Sequence, residues 1–175
     1  MNLPNVLSTC RIVMTPFAVW AVLAGSRGTA GLLLVAALAT DFLDGWLARR
    51  ANQSTELGRI LDPLADKVLV AGVLAALVRL DRIPVEVAAV VVLRDLALLG
   101  FCWMRIRAGG PVPTAQIPGK IAFAILGGFL TWEVLGTGWP SWMAAAVAAI
   151  YVLGGVPYVT RLPWMSPSRI LKGER

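Results

Sequence analysis

Apolar residues in this chain run in long uninterrupted blocks separated by short polar breaks. Six such blocks are readable, at about 9–25, 28–49, 58–79, 84–104, 116–136 and 140–161. The breaks fall at Gly25-Ser26-Arg27-Gly28, Arg49 to Leu57, Arg79 to Pro84, Arg105 to Pro118 and Gly136 to Pro140, where glycine, proline and charge punctuate the chain. Each block is close to the roughly 20 apolar residues that a membrane-spanning helix needs. The pattern predicts an all-α integral membrane protein: one domain over 1–175, a bundle of six transmembrane helices with a short N-terminal interfacial segment. No repeat of solenoid length and no long linker interrupts it. The first block has only Arg11 before it, is broken by Pro16 and lacks a small-residue cleavage site, so it is read as a retained helix.

Composition supports that class. Of the 175 residues, 58% are hydrophobic and 15% charged, against about 45–50% and about 25% in soluble domains. Mean hydropathy is +0.74. A disordered chain is excluded and a soluble globule is disfavoured. The net charge of +6 has no basic run interleaved with aromatics, so nucleic acid is not the expected partner. Its distribution suits a membrane instead. With the N-terminus in the cytoplasm, one side carries twelve cations, Arg11, Arg49, Arg50, Arg59, Lys67, Arg105, Arg107, Lys120, Arg161, Arg169, Lys172 and Arg175. The other side carries Arg27, Arg79 and Arg82. This positive-inside asymmetry places both termini, and the breaks after the second and fourth spans, at the cytoplasmic face of the cell membrane. Histidine is absent, which removes imidazole acid–base and metal chemistry. Cys10 and Cys102 form no CxxC pair and are expected to be small buried hydrophobes.

The acids are the informative exceptions. A carboxylate near a bilayer centre costs about 2.5–3.5 kcal/mol on insertion scales and is a functional candidate by default. Asp41 and Asp44 are three apart and share a helix face; Asp62 and Asp66 are four apart and do the same. Two antiparallel helices joined by the short break after Arg49 bring these four acids to one depth. Carboxylates so clustered repel unless protonated or neutralised. Arg49 and Lys67 can neutralise two of them. An all-oxygen set without histidine or paired cysteine favours Mg²⁺ or Mn²⁺ over zinc, and two such ions clamp the attacking and leaving oxygens of a phosphoryl displacement. A purely structural ion-pair network is the bland alternative, and a divalent-cation transporter the non-enzymatic one. Neither discontinuous helices nor repeated halves, the marks of a transporter, are evident. Gly45, Ala48 and Gly58 clear space on the acid-bearing faces, whether for a ligand or for close helix packing. Arg49, at the cytoplasmic mouth, suits a bidentate phosphate contact.

Together these residues read Asp41-x-x-Asp44-Gly45-x-x-Ala48-Arg49, eight residues, Gly58-x-x-x-Asp62-x-x-x-Asp66. This resembles the full signature of the CDP-alcohol phosphatidyltransferases, with all eight fixed positions matched at the family spacing. The segment Asn2 to Arg11 and the Asn52-Gln53-Ser54-Thr55 stretch are similar to the family as well. The resemblance is good over residues 2 to about 80 and weaker beyond. It implies that Asp41, Asp44, Asp62 and Asp66 hold two metal ions. It implies that Asn5, Ser8, Gly45, Ala48, Arg49, Thr55 and Gly58 contact the CDP-alcohol, and that Asp66 is also the general base. The implied donor is CDP-diacylglycerol, the implied reaction is phosphatidyl transfer to an alcohol with release of CMP, and the implied assembly is a homodimer among membrane lipids.

The acceptor is less legible. The N-terminal half most resembles the phosphatidylglycerophosphate synthase branch, which uses glycerol-3-phosphate. Candidates for its phosphate are Arg94, Arg105, Arg107 and Lys120, with interhelical pairing or simple topology as the alternative for each. Arg94 and Asp95 are adjacent, and adjacent residues do not face each other on a helix, so different neighbours are expected. After Pro118-Gly119-Lys120 the chain has Ile121-Ala122-Phe123-Ala124, lacking that branch's polar residues. This drifts toward cardiolipin synthases, whose acceptor is phosphatidylglycerol; an inositol-phosphate acceptor is a third option. Glu133 is expected either to pair with Arg94 or to lie near the outer interface. Gly127-Gly128 and the alanine-rich sixth span permit close packing.

Overall fold

The computed structural model describes residues 3–51, 56–107, 117–136, 138 and 140–160, with side chains described outside 3–8, 41–51, 56–63, 106, 141 and 158–160. Six helices follow in order: α1 Leu3–Leu23, α2 Arg27–Ala51, α3 Glu56–Arg79, α4 Val85–Arg107, α5 Ile117–Leu135 and α6 Ser141–Thr160. Each coincides with one predicted block. The expected separate N-terminal segment is not seen, because α1 runs unbroken from Leu3. Pro4 lies in its first turn, where a missing N–H costs no helical hydrogen bond, and nothing between it and Pro16 stops the helix.

The turns have local causes. Gly25 closes α1 in a left-handed conformation (φ 70°), with Ser26 N–H bonded to Ala21 C=O and Gly25 N–H to Val22 C=O. That is a Schellman cap, where a residue without Cβ avoids strain. The same cap closes α3, with Arg82 N–H on Leu77 C=O, but the left-handed residue is Asp81 (φ 53°), one of the few non-glycine types that tolerate it.

The helices form a closed ring. α1 packs on α2 and α3, α2 on α5, α5 on α6, α6 on α4, and α4 back on α3, while α3 also meets α5. The core is made of small and branched residues, among them Ala21, Ala30, Val73, Leu77 and Val91, all nearly inaccessible. Glycines set the closest approaches: a Cβ on Gly127 would lie 2.5 Å from Leu38, so α5 meets α2 almost backbone to side chain.

Large apolar side chains also point outward, including Phe17, Trp20, Leu32, Leu93 and Met104, all more than half exposed. In water this would be a severe liability; against lipid it is the expected surface. Cys10 is exposed and Cys102 half-buried, so the expectation that both are buried is corrected: their helix faces look out of the ring. Val85–Arg105 and Ile117–Leu135 are long and apolar enough to cross a bilayer unaided, and Thr9–Leu23, Arg27–Thr40 and Trp142–Pro157 are shorter apolar stretches. At about 1.5 Å per residue, helices of 19 to 25 residues extend about 29–38 Å, comparable to the roughly 30 Å hydrocarbon core.

Candidate active site

The signature straddles two consecutive helices. Asp41, Asp44, Gly45, Ala48 and Arg49 lie in the last three turns of α2, and Gly58, Asp62 and Asp66 lie in the first three of α3. Asn5 and Ser8 lie in the first turns of α1. Of these, only Asp66 has a described side chain; the side chains of the others, and Thr55 altogether, lie outside the described residues.

Asp66 is enough to locate the site. Its Oδ1 accepts from Arg11 Nη1 at 2.5 Å. The other end of the same guanidinium, Nη2, is 3.4 Å from Thr40 Oγ1, the residue before Asp41. Thr40 in turn donates to Ala37 C=O at 2.8 Å, leaving its oxygen to accept from the arginine. One guanidinium on α1 therefore bridges α2 and α3 at the level of the first and last signature acids. Arg11 is 1% exposed. From topology alone it is one more cytoplasmic cation; its position inside an apolar run is the signal of a further role, since intramembrane charges seldom lack a partner.

A second polar cluster lies one residue further along α3. Lys67 Nζ is 2.8 Å from Asp95 Oδ1 on α4. Arg94 Nη1 is 2.9 Å from the same oxygen, and Tyr151 Oη on α6 donates to it at 2.9 Å. Three side chains thus converge on one carboxylate that is 5% exposed. Two expectations are corrected here. Arg94 and Asp95 do not serve separate neighbours: the long arginine folds back along α4 to its own neighbour, which a backbone-facing argument cannot anticipate. Among the described residues Lys67 pairs with Asp95 and not with Asp66, because its position on α3 turns it toward α4. Arg94 is also packed against Gly155, where an added Cβ would lie 2.9 Å from its Nε. Among the described residues the cluster holds two cations against one anion.

The other candidate cations are distributed differently. Arg105 is eleven residues after Arg94, three turns on the same face, about 16 Å along the axis. Arg105 Nε and Nη2 are buried and form no hydrogen bond among the described residues. Arg107 is exposed and stacks on Trp103, 5.1 Å from the ring centroid, and Lys120 is exposed at the start of α5. Glu133 does not pair with Arg94, which is engaged by Asp95; it is buried near the end of α5, where its carbonyl accepts from Arg82 at 2.6 Å. A cavity of about 260 Å³ lies at that same end, lined by Val22, Gly25, Arg27, Leu77, Leu80, Arg82 and Val134. It is remote from Asp66 and is not the site.

Among the described residues no three acids, cysteines or histidines converge, as expected where three of the four signature side chains are outside them. The donor chemistry nonetheless fits a hard divalent ion: every candidate ligand is a carboxylate, and none is nitrogen or sulfur.

Six helices with a lipid-compatible exterior and an acid site at the junction of the first three define an all-helical membrane protein. A family model described as CDP-alcohol phosphatidyltransferase matches residues 1–155. The chain is 34% identical over 172 residues to the cardiolipin synthase (CMP-forming) of Streptomyces coelicolor, covering 94% of this chain and 78% of that one. It is 34% identical over 171 residues to the probable phosphatidylglycerophosphate synthase of Mycobacterium tuberculosis, covering 91% and 81%. Over 136 residues it is 35% identical to the CDP-diacylglycerol–glycerol-3-phosphate 3-phosphatidyltransferase of Bacillus subtilis, covering 69% of each. The protein belongs to the CDP-alcohol phosphatidyltransferase family.

Proposed function

We propose that this enzyme transfers the phosphatidyl group of CDP-diacylglycerol to glycerol-3-phosphate, giving phosphatidylglycerophosphate and CMP. The observation that carries the reading is the eight-position signature on α2 and α3, whose last acid, Asp66, is joined through Arg11 to Thr40, the residue before the first. In this reading Asn5, Ser8, Gly45, Ala48, Arg49, Thr55 and Gly58 bind the cytidine diphosphate head. Asp66 takes the proton from the acceptor hydroxyl. The freed oxygen attacks the phosphorus next to diacylglycerol, and the bond from that phosphorus to the CMP oxygen breaks. Asp41, Asp44, Asp62 and Asp66 hold two Mg²⁺ or Mn²⁺ ions, which supply charge stabilisation to the phosphoryl oxygens when bound.

A phosphate-bearing acceptor needs uncompensated positive charge within a few ångströms of the base. Lys67 and Arg94, sharing the single carboxylate of Asp95, meet that need beside Asp66. Arg105, about three turns away along α4, is assigned to the cytoplasmic approach with Arg107 and Lys120. All six helices span the membrane, with both termini and the site toward the cytoplasm. The protein works as a homodimer; Gly128, which has open space beside it, offers α5 as a face where a second copy can approach.

The near-full-length similarity to a cardiolipin synthase supports a second acceptor, phosphatidylglycerol. An acceptor screen decides between them. Purified protein with CDP-diacylglycerol and Mg²⁺ or Mn²⁺ is offered glycerol-3-phosphate, phosphatidylglycerol, inositol phosphate or serine, and CMP release is measured. Release with glycerol-3-phosphate alone supports the first reading, and release with phosphatidylglycerol alone replaces it by the second. Metal flux without CMP release returns the protein to the transporter class.

A further inference from the structure

We propose that the end of the bundle opposite the acid signature holds a binding site for the phosphate head of an anionic membrane phospholipid. Arg27 opens α2 and Arg82 follows α3, whereas the signature occupies the other ends of both helices. Arg79, the last residue of α3, is thirteen residues beyond Asp66, about 20 Å along the axis. The site is therefore separate from the catalytic one and does not depend on which acceptor the enzyme uses.

Two guanidiniums from different parts of the chain converge on one turn. Arg82 Nη1 donates to Glu133 C=O, near the end of α5, at 2.6 Å. Arg27 reaches the same turn at Gly136: a Cβ there would lie 2.6 Å from its Cζ and Nη1. Gly136 also has φ 85°, so glycine is required both by the backbone and by the arginine lying against it. Both arginines line the cavity of about 260 Å³, together with Val22, Leu77, Leu80 and Val134.

Capping of α5 does not account for both cations. A helix C-terminus carries about half a negative charge, and Gly136 N–H already donates to Glu133 C=O. Nor do the acids at this end, Asp81, Glu86 and Glu133. None of them lines the cavity, and the ion pairs formed among the described residues involve neither Arg27 nor Arg82. Two like charges on one cavity repel, and an anion between them reverses the sign of that interaction. Phosphate matches the guanidinium fork. The apolar remainder of the lining favours a lipid over a hydrated ion, since it can take the glycerol beneath the phosphate. Trp20 on α1 and Trp132 on α5 are exposed within a turn of Val22 and Glu133, and tryptophan concentrates at headgroup level. Basic pockets between membrane helices hold anionic headgroups in this way.

The test is thermal unfolding of the full-length protein in a neutral detergent with a chelator present. Dioleoyl phosphatidylglycerol, dioleoyl phosphatidylcholine and inorganic phosphate are titrated separately. We expect phosphatidylglycerol to raise the unfolding temperature by about 5–10 °C at a hundredfold excess over its Kd. Phosphatidylcholine, whose ammonium meets the same arginines, and inorganic phosphate, which lacks the apolar part, should leave it unchanged. Arg27→Gln should weaken phosphatidylglycerol binding about tenfold, as for loss of a charged hydrogen bond. Leu80→Glu sets a carboxylate at a lining position that is 39% exposed, and should abolish the shift. Arg79→Gln removes an exposed arginine from the same end that does not line the cavity, and should keep the full shift.

Absence of a shift with phosphatidylglycerol overturns the proposal. An equal shift with phosphatidylcholine overturns it in favour of unspecific annular lipid, and an equal shift with inorganic phosphate in favour of a free-phosphate site. Undiminished binding in Arg27→Gln, the result expected of lipid held at the acid site, also overturns it, as does equal weakening in Arg27→Gln and Arg79→Gln. If Arg27→Gln does not give monodisperse protein, Leu80→Glu carries the test, with an undiminished shift as the overturning result.

Discussion

The guanidinium of Arg94 lies over the ring of Tyr151, 4.1 Å from its centroid. The hydroxyl of that same tyrosine donates to Asp95, the carboxylate that also receives Arg94. Tyr151 is thus held at both ends of one arginine–aspartate pair, and it is 1% exposed. It fixes where Arg94 points, and through Asp95 it also fixes Lys67.

Tyr151→Phe keeps the ring and removes the hydroxyl. Losing one hydrogen bond to a charged acceptor corresponds to about 1–2 kcal/mol. We expect the KM for glycerol-3-phosphate to rise about tenfold, with the KM for CDP-diacylglycerol unchanged. Tyr151→Leu also removes the ring contact, worth about 1 kcal/mol more when shielded from water, and should raise the acceptor KM further. Steady-state CMP release with each substrate varied in turn checks this; equal shifts in both KM values would refute the assignment.

Gly155 and Gly100 offer a contrast. A methyl group at Gly155 would press on the guanidinium of Arg94, whereas one at Gly100 meets nothing within 4 Å. Gly155→Ala should therefore raise the acceptor KM by about tenfold, since a displaced Arg94 gives up its alignment over Tyr151. Gly100→Ala should leave both KM values as they are.

Neighbouring glycines on α5 should differ in stability. Gly127→Ala forces Leu38 aside, and overpacking of this kind costs about 1–3 kcal/mol. Gly128→Ala meets open space and replaces a poor helix former by the best one. Thermal unfolding in a fixed detergent should show Gly127→Ala melting several degrees lower and Gly128→Ala melting at or slightly above the parent, taking about 2–4 °C per kcal/mol for a chain of this size.

The chemical step should depend on Asp66 and on a divalent ion. Asp66→Asn removes the proton acceptor and one ligand oxygen charge, so CMP release should fall below detection while CDP-diacylglycerol binding remains measurable. Chelation of the wild-type protein should have the same effect on turnover, reversed by Mg²⁺ or Mn²⁺. Turnover retained in Asp66→Asn would remove Asp66 from the role of base.

Much of the fold was legible because the bilayer imposes a simple rule. Every backbone polar group in hydrocarbon must be paired within its own segment, so an apolar block of about 20 residues is a helix almost by necessity. The six blocks match six helices, and Gly25, in the first break, takes a left-handed cap. The signature acids were equally legible, since their spacing is a local property of a helix. What the sequence does not carry is where particular side chains end. Arg94 folds back to Asp95, Lys67 turns away from the aspartates, and Cys10 faces outward.

The amino-acid sequence by itself determined that this is a helical membrane protein, where its helices lie, and that it carries the complete acid signature of its family. These are periodic or local quantities, readable along one dimension. The tertiary structure decided which helices meet and therefore which charges pair. Only the close approach of α1 to α3 at Gly72 puts Arg11 on Asp66, and only the meeting of α3, α4 and α6 brings Lys67, Asp95 and Tyr151 into one cluster. Flexible charged side chains find partners across several ångströms, so their pairing depends on the packing of helices distant in sequence.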